Sequence, residues 1–78
     1  MKRKLSVNED KFVRSVGRNV ADARKTRGLT QEDVAEKADL DRVTIAYIET
    51  GKRTPKLTTL YQISKVLKVD VQSFFDGV

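Results

Sequence analysis

The stretch Thr30-Gln31-Glu32-Asp33-Val34-Ala35-Glu36-Lys37-Ala38-Asp39-Leu40-Asp41-Arg42-Val43-Thr44-Ile45-Ala46-Tyr47-Ile48-Glu49-Thr50-Gly51 decides the fold. Thr30 is suited to cap a helix, with Asp33 in the place a capping box usually gives to Glu or Gln. Acids in the first turn suit the positive end of the helix dipole. Val34, Ala35 and Ala38 make a narrow apolar face, and the helix is expected to stop near Ala38. Asp39 then occupies a tight turn, where Asp tolerates positive φ better than most residues. Asp41 caps a second short helix, whose buried edge is Ile45 and Ile48 with Leu40 joining from the turn, and Gly51 closes it as a left-handed residue. Two short helices across a turn of about three residues have helix-turn-helix spacing. Small Ala35 allows the two backbones to approach. The other side of the second helix, Arg42, Val43, Thr44, Ala46 and Tyr47, is left to face outwards. The major groove of B-DNA accepts such a helix, with its N-terminal residues on base edges.

Working outward, residues 1–8 read as a basic arm and residues 9–78 as one domain. A first helix is expected from Glu9 to Arg27, capped by Asn8 or Asp10, with Val13, Val16, Val20 and Ala23 on one face. Gly28 ends it in the left-handed conformation, with Leu29 as the apolar follower. A basic turn from Lys52 to Lys56 holds the only proline, Pro55. A fourth helix is expected after Thr58 as cap, burying Leu60, Ile63, Val66 and Leu67. Asp70 caps a last short helix with Val71, Phe74 and Phe75 at helical spacing. No strand-like alternation and no internal repeat is present, so the expected fold is all-α, a compact bundle of five helices.

Composition narrows the function. The chain has 78 residues, enough for one small domain. It has no Cys and no His, which excludes a disulfide framework and thiolate or imidazole metal sites, and removes the commonest general base. Neither a metal nor a cofactor is implied, and a chain this short rarely encloses an enzyme's pocket. Sixteen basic residues against eleven acidic give a net charge of +5, which favours polyanions. Residues 31–50 are the acidic segment, with six acids against two bases, and both flanks are basic. Met1-Lys2-Arg3-Lys4 is not followed by an apolar targeting segment, and no run approaches the ~20 residues of a membrane span. A cytoplasmic location is the expectation.

The ordered set Thr30-Gln31-Glu32-Asp33-Val34-Ala35, Leu40-Asp41-Arg42, Ile45-Ala46-Tyr47-Ile48-Glu49 and Gly51-Lys52-Arg53-Thr54-Pro55 resembles the Cro/CI-type (Xre) helix-turn-helix regulators, over roughly residues 12–76. Chain length and Leu40-Asp41-Arg42 also resemble controller proteins of restriction–modification systems. The resemblance implies a lambda-repressor-like DNA-binding domain. It assigns Arg42, Val43 and Tyr47 to base edges, Gln31 and Thr44 to the DNA backbone, Lys52 and Arg53 to phosphates, and Lys56 to the approach to the minor groove. The chain departs from the family at the turn, where Asp39 replaces the usual Gly.

The chemistry of these residues leaves alternatives open. Arg42 suits bidentate pairing with guanine, or is a solvated first-turn arginine. Val43 suits a thymine methyl, or is an incidental exposed residue. Tyr47 either meets the groove or pads the helix surface. Lys2-Arg3-Lys4 reads as solvated charge. Arg24 and Glu49 each follow a core residue by four, so both flank buried faces, and a buried charge demands a partner. An Arg24–Glu49 salt bridge between the first and third helices is the expectation, as in the resembled family.

One reading helix covers few base pairs, so a homodimer on a near-palindromic operator is expected, with Leu57, Phe74 and Phe75 as its interface. Such a regulator represses by covering a promoter or activates by touching RNA polymerase, depending on operator position. The alternative class is a protein-interaction adaptor that keeps the fold without binding DNA.

Overall fold

The structure is a computed structural model and describes residues 3–78; Met1 and Lys2 of the expected arm lie outside the described residues. Helix α1 spans Val7–Thr26, α2 Gln31–Ala38, α3 Arg42–Glu49 and α4 Leu57–Leu67. The fifth expected helix is a 3₁₀ segment, Val71–Phe75, so the bundle has four α-helices and a 3₁₀ end. Among the described residues there is no strand, and no helix is long and apolar enough to cross a membrane.

Two helix starts differ from expectation. α1 begins at Val7 because Ser6, not Asn8 or Asp10, is its cap. Ser6 Oγ accepts from the Glu9 amide at 3.1 Å, and Glu9 Oε1 accepts from the Ser6 amide at 2.9 Å, satisfying two end donors at once. Arg3 then reaches Glu9 with two bonds of 2.7 Å, which ties residue 3 to the first turn of α1. α4 begins two residues earlier than expected from a Thr58 cap. Its cap position is Lys56, which provides no side-chain bond, and Thr58 falls inside the first turn.

The other starts and stops follow local chemistry. Thr30 and Asp33 form the full capping box of α2, with bonds of 3.0 and 2.9 Å. Asp41 Oδ1 accepts from the Thr44 amide at 2.7 Å at the start of α3. Gly28, at φ +70°, ends α1 by donating to Lys25 O while Leu29 donates to Arg24 O, the paired bonds of a Schellman motif. Asp39, at φ 57° and ψ 46°, takes the left-handed position between α2 and α3.

α2 and α3 have eight residues each, shorter than a helix that is stable alone in water. Packing therefore holds them. Val34, Ala35, Ile45 and Ile48 enter a core completed by Val16, Val20, Leu60, Ile63, Leu67 and Phe74. α1 packs on α3 and on the 3₁₀ segment, and α2 packs on α3 and α4. Gly17 lies where α1 crosses α3, and a Cβ there would overlap the Ile48 carbonyl oxygen. Asn19 Nδ2 donates to Phe74 O at 2.8 Å and Asp76 O at 3.0 Å, fastening the chain's end to α1.

The capping carboxylates tie stability to pH. The Arg3 guanidinium beside Glu9, helped by the Ser6 amide, pulls the Glu9 carboxyl from its ordinary 4.5 to about 2. The Thr30 amide lowers Asp33 and the Thr44 amide lowers Asp41. Each group takes up its proton at higher pH in the unfolded chain, so its contribution is whole above the ordinary value and is lost as pH falls toward the folded one. A series of thermal melts should show the midpoint dropping between pH 4.5 and about 2, with a shallower drop in Glu9→Gln. A midpoint that is flat over this interval would contradict the capping account.

Candidate nucleic-acid interface

α3 buries Ile45 and Ile48 completely, at 0 and 1% exposure, which turns its opposite side to solvent. Arg42, Val43 and Tyr47 are all exposed there, and none is covered by another helix. Lys52, Arg53 and Lys56 are exposed in the turn that follows. Gly51, at φ +75°, permits this turn. Its amide donates to Ile48 O, and the Lys52 amide donates to Tyr47 O at 2.9 Å.

The orientation of α3 is set by a buried ion pair. Arg24 Nε donates to Glu49 Oε2 at 2.7 Å and Arg24 Nη2 to Glu49 Oε1 at 2.9 Å. The side chains keep only 11% and 5% of their accessibility. The remaining Arg24 donor, Nη1, reaches Leu29 O at 2.9 Å. One guanidinium thus joins the end of α1, the turn into α2 and the end of α3. This planar, bidentate geometry is the kind that arginine provides and lysine does not.

Two residues assigned to the DNA backbone have partners within the chain. Gln31 Nε2 donates to Glu49 Oε1 at 3.0 Å, so its amide is oriented by the same carboxylate. Its second N–H and its carbonyl remain outside this bond. Thr44 is half-buried and its Oγ1 accepts from Arg53 Nη1 at 2.9 Å.

The expected interface residues separate. Leu57 is 78% exposed and Phe75 37%, whereas Phe74 is fully buried. Phe74 is therefore a core residue and is withdrawn from the interface: Asn19 anchors its carbonyl, and its ring lies in the core cluster. Sequence reasoning missed Phe12, which is 49% exposed and stacks on Phe75 with ring centroids 6.2 Å apart. Phe12, Pro55, Leu57 and Phe75 line one shallow apolar groove. Gly17 and Asn19 were missed as well. A glycine in mid-helix carries a propensity cost of about 1 kcal/mol, and that was the signal of close backbone approach.

A small helical bundle whose second and third helices are joined by a three-residue turn, with one side of the third open to solvent, defines a helix-turn-helix domain. The chain belongs to the helix-turn-helix family HTH_3, which matches residues 20–74. An HTH-type transcriptional regulator of Sinorhizobium fredii, y4dJ, is 37% identical over 54 residues, covering 69% of this chain and 70% of the relative. The immunity repressor protein of Bacillus phage phi105 is 39% identical over 59 residues, covering 76% of this chain and 41% of the repressor. Among solved structures, the restriction–modification controller protein C.AhdI from Aeromonas hydrophila superposes with a TM-score of 0.79 at 25% identity, covering 81% of this chain and 96% of that one. The family consists of transcriptional regulators, not enzymes.

Removing one partner of a buried pair leaves the other charge uncompensated, typically at about 3–5 kcal/mol. Glu49→Ala should lose stability of that order in urea unfolding, and should release Gln31 and the end of α3 together. A melt indistinguishable from the parent chain would sink the structural role given to the pair.

Proposed function

We propose that this chain is a sequence-specific DNA-binding transcriptional regulator that places α3 in the major groove and reads a near-palindromic operator as a homodimer. The observation that carries the reading is the outward row Arg42, Val43 and Tyr47 on a helix pinned by a buried ion pair. Arg42 stands at the first position of α3, where a bidentate guanidinium can meet guanine O6 and N7. Val43, 49% exposed, suits a thymine methyl. Gln31 and Thr44 approach the DNA backbone, Lys52 and Arg53 grip phosphates, and Lys56 approaches the minor groove. α4 starts without a side-chain cap, which leaves its first amides to a phosphate or water. The relatives named as regulators and repressor support the same reading.

The dimer would use the groove of Phe12, Leu57 and Phe75, setting two reading helices ~34 Å apart. Exposed aromatic and aliphatic side chains gathered in one place are unusual on a small monomer.

Selection from a random DNA pool should return a sequence with two-fold symmetry, bound with a steep fall of log K against log salt. Arg42→Ala should lose roughly 1–3 kcal/mol and relax preference at one base pair, whereas Lys52→Ala should weaken all sequences alike and reduce the salt slope by about 1. A chain that selects no sequence and shows no salt slope is an adaptor, not a regulator of this kind. Leu57→Asp, a change at an open position, should shift sedimentation toward the monomer and weaken operator binding. A parent chain that stays monomeric both free and on DNA would refute the dimer.

A further inference from the structure

Tyr47 stands on the outward row of α3, yet its ring is not bare. Lys52 Nζ lies 5.7 Å from the ring centroid and Arg53 Cζ 5.3 Å from it, both within cation–π reach. The Tyr47 carbonyl oxygen accepts from the amides of the same two residues, at 2.9 Å from Lys52 and 3.3 Å from Arg53. One residue thus holds both cations, by its backbone and by its ring. Arg53 is fastened a second time, by the 2.9 Å bond from Nη1 to Thr44 Oγ1 one turn back on α3.

Long basic side chains lose rotamer freedom when they settle on a phosphate, and that loss opposes binding. Here much of it is already taken in the free chain. A ring engaged with two cations also has less open face to offer a base. We infer that Tyr47 is a positioning residue: its ring presets Lys52 and Arg53 as a paired phosphate clamp at the end of the reading helix, and it does not read a base. The inference rests on the DNA-binding reading above, and deepens it by moving Tyr47 from base recognition to the sequence-independent part of binding.

Two measurements test it. In the free protein, proton NMR should show the side-chain protons of Lys52 and Arg53 shifted upfield by the Tyr47 ring; the shift should vanish in Tyr47→Leu and return in Tyr47→Phe. An unshifted parent chain overturns the platform. With DNA, the probes are a duplex of about two helical turns carrying the selected operator and one of unrelated sequence. Tyr47→Leu should weaken both by the same factor, about three- to tenfold, and Tyr47→Phe should restore both. A loss confined to the operator, or a changed preference at one base pair, would make Tyr47 a base reader. A loss in Tyr47→Phe equal to that in Tyr47→Leu would assign the role to the hydroxyl. If the parent chain binds neither duplex, the DNA reading itself fails, and the upfield shifts report separately whether the ring holds the cations.

Discussion

Glu49 ends an eight-residue helix with a carboxylate that retains 5% of its accessibility. A carboxylate so far removed from water is tolerable only with a counter-charge in hydrogen-bonding contact. Arg24 supplies it, and the geometry leaves little freedom. Two parallel N–H bonds fix the guanidinium plane, and the third contact, to Leu29 O, fixes the turn beside it. Gly17 sets the distance, because only a residue without a side chain lets the backbone of α1 lie against the Ile48 carbonyl. The rotation of α3 and its separation from α1 are thus settled by two contacts on one long helix. The outward direction of Arg42 and Val43 follows from them.

The same accounting changes the meaning of the acidic middle segment. By count, residues 31–50 should repel a polyanion. Asp33 and Asp41 are held by helix-end amides, and Glu49 is neutralised by Arg24. Outside that segment, Glu9 bonds Arg3 and Asp10 bonds Arg14. Glu32, Glu36, Asp39 and Asp41 remain open to solvent in the middle, on α2 and in the turn that follows it. Among the described residues, only Glu49 of the middle acids is neutralised by an ion pair, and the cations without a carboxylate partner near α3 are Arg42, Lys52, Arg53 and Lys56.

Much of the architecture was legible in the sequence because it is written in local chemistry. Gly28 and Gly51 mark left-handed helix ends, Thr30 and Asp41 mark starts, and the apolar periods of α1 and α4 mark the core. Spacing placed Arg24 and Glu49 beside buried faces, each lying four residues beyond a core position, and the family resemblance paired them. Where reading failed, a local signal was outweighed or absent. Ser6 and Glu9 spell a capping box, but Asn8 and Asp10 beside them are equally able to cap a helix. Lys56 offers no side-chain cap, so nothing in its chemistry marks the start of α4. Phe74 and Phe75 are adjacent and alike, and tertiary packing, not local sequence, decides that Phe74 enters the core while Asn19 on a distant helix holds its carbonyl. That Gln31 shares Glu49 with Arg24 is tertiary information of the same kind.

α1 also determines the turn that carries the cations. A Cβ on Gly51 would lie 3.1 Å from the Cα of Arg14 and closer still to its Cγ, so the start of that turn rests on the α1 backbone. Gly17 and Gly51 are thus two points where α3 and its following turn are measured against α1, one before the end of the reading helix and one just after it. Just before the first of these points lies Tyr47, whose carbonyl and ring hold Lys52 and Arg53. A rigid distance between a base-facing side chain and a phosphate-facing one is what converts backbone contact into register on a duplex. On the proposed DNA-binding reading that distance would run from Arg42 to Lys52, along an eight-residue helix too short to hold its own shape. The position and rotation of α3 are therefore kept by α1, through Gly17, Arg24 and the contact of Arg14 with Gly51.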